Sequence, residues 1–194
     1  MGSDPTAAHS RVPAEDRLNV FALVIYIPDP LGRFLDDLRR ELAPAYNPHA
    51  HVSVLPPRPL AVDWQEASNH ARALIEGAPP FSVELTETDI FPVTNVVYLE
   101  VGKGAAELRG MHRAMNQGAL AFDEPFAYHP HITLAQESPA EAVAEIYEVA
   151  QRRWREYRGP RRFPADHAVF VQNTLNNCWI DLAEYHFGAV PAKI

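Results

Sequence analysis

Cysteine occurs once, at position 178. A single thiol cannot close an internal disulfide, which excludes a disulfide-stapled scaffold and fits a reducing compartment. Long apolar runs are also lacking. The longest, residues 20–27, suits a buried strand and falls far short of the roughly 20 residues that span a bilayer. Residues 1–17 are polar and hold no apolar core of a secretory signal. Basic residues are outnumbered, 17 Lys and Arg against 25 Asp and Glu, for a formal net charge of −8. Coating long nucleic acid takes many Lys and Arg contacts to phosphate, so an extended nucleic-acid-binding face is excluded. A small nucleotide, or an RNA terminus held in a local cleft, is still compatible. These absences together predict a cytoplasmic protein, away from membranes and expected to be monomeric.

What is present is enough apolar material for a core: 47% of 194 residues. Residues 18–27 are apolar and β-branched and predict a strand. Asp29 and Pro30 open a helix to about Leu42, with Leu31, Phe34, Leu35, Leu38 and Leu42 at helical spacing. A second strand is expected over 50–55, ended by Pro56, Pro57 and Pro59. Asp63 is placed as the N-cap of a helix to about Glu76. Residues 81–89 and 96–101 alternate as a hairpin, followed by a helix over 105–119. A short strand is expected over 128–135, then a helix from Ser138–Pro139 to about Tyr157. A closing hairpin over 168–172 and 178–185 turns at 173–177. The order β-α-β-α-β-β, then α-β-α-β-β, predicts an α+β fold. Its two lobes are pseudo-duplicated, with antiparallel sheets and helices packed outside a central cleft. A single bilobal domain is expected over 18–187, with a flexible N-terminal tail over 1–17 and a C-terminal tail over 188–194.

One pattern occurs once in each half: His51-Val52-Ser53-Val54 and His131-Ile132-Thr133-Leu134. Two chance matches would arise in roughly one sequence in twenty to thirty. Residues i and i+2 of a strand share a face, so His51 stands beside Ser53 and His131 beside Thr133, while the apolar residues between them turn inward. If the halves pack about a pseudo-twofold, the two pairs face each other across one cleft. Imidazole titrates near neutrality, so one His can take a proton from an attacking oxygen while the other gives one to the leaving oxygen. The hydroxyls can donate to the non-bridging phosphate oxygens. That set suits phosphodiester chemistry without metal or cofactor.

On these residues the chain resembles the two-histidine (2H) phosphoesterase superfamily, whose twin motifs are His-x-Ser/Thr-x. The stretch Tyr128-His-Pro-His-Ile-Thr-Leu-Ala is similar to its 2′-5′ RNA ligase and cyclic phosphodiesterase branch. The resemblance implies catalytic His51 and His131, phosphate-binding Ser53 and Thr133, no metal, and action on 2′,3′-cyclic phosphates or 2′-5′ linkages. Ser53 stands where Thr is commoner. Gln136 stands where RNA ligase relatives often carry a basic residue, which weakens the case for a substrate with extra phosphates.

Other residues offer further chemistry. His49 and His129 each precede a motif His by two, so four imidazoles could gather as a metal site, the main rival to metal-free chemistry. A third reading is a nucleotide- or RNA-end-binding module that keeps the fold without turnover. Tyr128, Phe126 and Trp179 could stack on a base, or serve the core. Arg58 could reach a phosphate, with solvated surface as the alternative. Arg152, Arg153, Arg155, Arg158, Arg161 and Arg162 form the one basic concentration and fall at a helix end, where cations suit the dipole. His70, His112, His167 and His186 receive no role.

Overall fold

The computed structural model describes residues 12–43 and 49–189. Of the two expected tails, residues 1–11 and 190–194 lie outside the described residues. A short 3-10 turn at Ala14–Asp16 leads into strand β1 at Arg17.

The chain runs β1 (Arg17–Tyr26), α1 (Leu31–Leu42), β2 (His51–Arg58), α2 (Trp64–Gly77), β3 (Phe81–Ile90) and β4 (Val97–Val101). It continues as α3 (Ala105–Met115), β5 (His131–Ala135), α4 (Val143–Glu156), β6 (Arg162–Ala165), β7 (His167–Thr174) and β8 (Trp179–His186). Two four-stranded antiparallel sheets form, ordered β2-β1-β7-β8 and β5-β4-β3-β6. Both motif strands are therefore edge strands of their sheets.

The lobes are not the two halves of the sequence. The first sheet joins the N-terminal strands to the C-terminal hairpin, and the second holds the middle of the chain. The helices interlock them. Helix α1 connects two strands of the first sheet yet packs on β5 and α4 of the second lobe. Helix α3 connects two strands of the second sheet yet packs on β2 and α2 of the first. The repeated unit is thus β1-α1-β2 and β4-α3-β5, each lending its helix to the other lobe. One continuous core results, with Leu23, Ile25, Val52 and Val54 of the first sheet and Leu99, Ile132 and Leu134 of the second buried beneath helical leucines such as Leu35, Leu38 and Leu108. The opposite face of the first sheet carries a smaller cluster of Ala22, Val24, Val169 and Val171, edged by Tyr26 and Trp179.

Several boundaries differ from the sequence expectation, for physical reasons. Strand β2 does not stop at Pro56 but runs through Pro56 and Pro57 to Arg58. An edge strand needs no outward N–H, and the ladder slips here: Leu23 faces Leu55 but Phe21 faces Arg58, so an extra residue of β2 is taken up where the prolines fall. Strand β6, unanticipated, also carries a proline, Pro164, and also lies at an edge. Helix α3 ends at Met115, short of 119. Asn116 then binds the backbone N–H (2.8 Å) and C=O (3.1 Å) of Phe122 with its side-chain amide, which turns the chain away from the helix. Strand β5 begins at His131, not 128, because Pro130 has no N–H to add to the ladder. Asp63 does sit at the N-cap of α2, though its carboxylate makes no cap bond.

Candidate active site

The alternation of β2 and β5 sends Val52, Val54, Ile132 and Leu134 into the core and leaves His51, Ser53, His131 and Thr133 half-buried on the other face. The neighbouring strands extend that face. Tyr26 lies opposite His51 and Val24 opposite Ser53; Glu100 lies opposite His131 and Tyr98 opposite Thr133. Strands β2 and β5, edges of different sheets, pack side by side. The four motif residues are brought together, and the two imidazoles are close enough for the charge of His131 to bear on His51.

Both motif histidines are held in the same way. Nδ1 of His51 bonds the carbonyl of His49 at 2.8 Å, and Nδ1 of His131 bonds the carbonyl of His129 at 2.7 Å. A carbonyl only accepts, so each Nδ1 carries its hydrogen and donates, leaving Nε2 as the nitrogen that can exchange a proton. The supports are local. His49 adopts left-handed backbone (φ 69°). Its N–H and that of Ala50 donate to Asp36 of α1, at 3.2 and 2.8 Å. His129 Nε2 bonds Glu100 at 2.7 Å.

The electrostatics of the two sites differ. Burial pushes His51 down to about 4, against the carbonyl bond that favours its charged form; the Arg39 guanidinium and the neighbouring imidazoles of His131 and His49 add smaller contributions in the same downward direction. Burial also lowers His131, and the neighbouring His129 imidazole lowers it further, while the carbonyl bond and then the carboxylate of Glu100 work in the opposite direction. Arg39 is a buried residue of α1 with its guanidinium 3.6 Å from Asp36. The charges around His51 thus all act against its charged form, whereas His131 has one carboxylate, Glu100, acting in its favour.

The remaining sequence candidates scatter. The Tyr128 hydroxyl donates to the backbone carbonyl of Ser53 at 2.7 Å, and its ring stacks on His112 with centroids 4.0 Å apart. Phe126 is 57% exposed. Gln136 is exposed just beyond β5. Trp179 lies on the far edge strand of the first sheet, with β1 and β7 between it and β2. Arg58 reaches neither solvent nor the motif residues. It is buried and pairs with Glu124, and it also donates to Asn116 (2.8 Å) and to the carbonyls of Pro56 (3.0 Å) and Leu120 (2.9 Å). The arginines around the end of α4 act structurally where their contacts are seen: Arg153 pairs with Glu41 at 3.0 Å, and Arg161 donates to the carbonyl of Trp154 at 2.6 Å. Among the described residues, no three His, Cys, Asp or Glu side chains gather as a metal-holding group.

Sequence reading missed Arg39, Tyr26, Tyr98, Glu100 and Phe91. Phe91 stacks on Tyr98 (4.0 Å between centroids) and meets His131 edge-on at 4.9 Å. The alternation of 97–101 held a signal for two of them, since Tyr98 and Glu100 must face away from Val97, Leu99 and Val101. Arg39 had only the hint of sitting next to Leu38 on an apolar helix face.

An interlocked pair of α+β lobes, each presenting a His-x-hydroxyl edge strand to its neighbour, defines a fold of the two-histidine class. Solved structures agree on the fold. Escherichia coli LigT complexed with NADP+ superposes with a TM-score of 0.60 at 15% identity, over 89% of this chain and 98% of that one. TT0787 of Thermus thermophilus gives 0.61 at 16% identity, over 87% and 98%. Curated relatives are assigned as phosphoesterases. One from Bacillus licheniformis is 30% identical over 111 residues, 53% of this chain and 64% of that protein. One from Geobacillus thermodenitrificans is 24% identical over 107 residues, 50% and 61%. One from Bacillus cytotoxicus is 23% identical over 164 residues, 81% and 92%. The chain thus spans just under two thirds of the first two and most of the third. The family model described as the 2′-5′ RNA ligase superfamily matches residues 27–177, and the chain belongs to that superfamily.

Proposed function

We propose that this protein is a metal-independent phosphoesterase that cleaves a 2′,3′-cyclic phosphate or a 2′-5′ phosphodiester at an RNA end or on a nucleotide. The single observation carrying this reading is the matched pair of Nδ1–carbonyl bonds on adjacent edge strands, which presents two Nε2 atoms of equal tautomer. A water attacks phosphorus, giving its proton to Nε2 of one histidine, while the other donates a proton from Nε2 to the departing ribose oxygen. One water is consumed, one phosphorus–oxygen bond forms and one breaks. His51, beside the Arg39 charge, suits the neutral base; His131, opposite Glu100, suits the protonated acid. Ser53 and Thr133 donate to the non-bridging oxygens as charge builds there. In this reading the enzyme is a cytoplasmic monomer acting on small nucleotides or RNA termini. LigT has been solved with NADP+, ATP and 3′-AMP, which is consistent with a nucleotide-sized ligand on this fold.

The test is turnover of 2′,3′-cyclic nucleotides in excess chelator by the wild type, His51→Ala and His131→Ala. Full wild-type activity and a loss of at least about a hundredfold in each variant support the proposal. Activity lost to chelator and restored by zinc or manganese would favour a His-cluster metalloenzyme. Nucleotide binding without turnover would favour a binding module.

A further inference from the structure

As the end strand of its sheet, β2 has backbone groups on its outer side without a ladder partner. One of them, the carbonyl of Ser53, accepts the hydroxyl of Tyr128 at 2.7 Å. Ser53 stands two residues after His51, and Tyr128 three residues before His131. This one hydrogen bond therefore ties the backbone of the first motif to the segment that delivers the second. Burial, and then the negative charge of Glu124, hold the phenol well above its usual range, so it stays a donor.

The tyrosine is itself fixed from behind. Its ring lies flat on His112, the planes 3° apart. His112 Nε2 bonds Glu124 at 2.9 Å, and Glu124 pairs with the buried Arg58 at the end of β2. Arg58 in turn donates to Asn116, which holds the backbone of Phe122. The chain of contacts starts on β2 at Ser53, passes through Tyr128, His112 and Glu124, and returns to β2 at Arg58. It anchors the approach to β5 to both ends of the first motif strand, and no member of it is a motif side chain.

We infer that Tyr128 is a positioning residue that sets the separation of His51 and His131 through the Ser53 carbonyl, with His112 as the support of its ring. This rests on the two-histidine reading of the site. It also moves Tyr128 from a base-stacking role, since one face of its ring is taken by His112 and its hydroxyl by β2. A small displacement of reacting groups lowers the chemical step far more than substrate binding, by as much as about a hundredfold for roughly 1 Å.

The experiment compares kcat, KM and melting temperature for Tyr128→Phe, Tyr128→Leu, His112→Ala and the Tyr128→Phe/His112→Ala double variant on a 2′,3′-cyclic nucleotide, with His51→Ala in the same assay. Tyr128→Phe keeps the ring and loses only the tie. It is expected to lower kcat by about tenfold or more with KM within about twofold, at a temperature well below its melting point. His112→Ala should do likewise, and the double variant should be no worse than the poorer single, because both act on one link. Wild-type kcat in Tyr128→Phe, with a raised KM in Tyr128→Leu, would overturn the inference in favour of base stacking. Equal losses that vanish on cooling would overturn it in favour of plain stability. If His51→Ala is inactive while Tyr128→Phe turns over like wild type, only this inference falls; if His51→Ala keeps wild-type turnover, the two-histidine reading falls with it.

Discussion

Glu100 is the cross-strand partner of His131 on the β4–β5 ladder, and its carboxylate is the one charge that favours a protonated imidazole at that position. His51 has no such partner and feels the buried guanidinium of Arg39 instead. Two histidines with like hydrogen bonds to the chain thus face different charges, which is the difference that the proposed division into base and acid draws on.

Glu100→Gln should therefore lower the pKa of His131. The acid must be protonated to work, so the alkaline limb of the kcat/KM profile should move to lower pH while the acidic limb stays in place. A profile measured across about pH 3.5 to 9, bracketing both groups, checks this; an unmoved alkaline limb would mean that His131 is not the acid.

Arg39→Met should act on the other limb. Removing the cation raises the pKa of His51, and the base must be neutral to work. The acidic limb should move upward from about 4, and the alkaline limb should hardly respond. Movement of the alkaline limb instead would exchange the roles of the two histidines.

Ser53→Ala and Thr133→Ala should each lower the maximum of the profile, by about tenfold to a thousandfold for a donor lost to transition-state charge, and leave its bell shape. Neither hydroxyl titrates in this range. Wild-type maxima in both variants would remove the hydroxyls from the phosphate site.

Arg58→Met should be costly to stability. It leaves Glu124 buried without its cation and unties Asn116, Leu120 and Pro56. Breaking a buried pair by removing one member costs about 3–5 kcal/mol, readable in denaturant unfolding. A loss below about 1 kcal/mol, the value of an exposed pair, would show that the network is not closed to water.

The motif strands were legible in the sequence because a period of two leaves no choice about which side chains share a face. His51 shares a face with Ser53, and His131 with Thr133, as that rule requires. The element order was legible as well, except for β6, where Pro164 and flanking arginines hide a short edge strand. What could not be read was pairing over long separations. Strands β1 and β7 are far apart in the chain, so the exchange of strands and helices between lobes leaves no local trace. Arg58 was misread for the same reason: its partner Glu124 is 66 positions away, and an arginine next to prolines resembles surface until that partner is known. Arg39 and Glu100 acquire their meaning only when helix and ladder bring them to the histidines.

The most direct measurement is the pH dependence of kcat/KM for a 2′,3′-cyclic nucleotide in excess chelator. With His51 near 4 and His131 below the ordinary histidine value of about 6.5, the profile should be a bell in the mildly acidic range. In kcat both limbs should lie further to the alkaline side, because the bound phosphate anion favours the charged imidazoles. A rate that climbs without a maximum into alkali would contradict the account, since hydroxide or a metal-bound water would then be the nucleophile and no imidazolium would be needed.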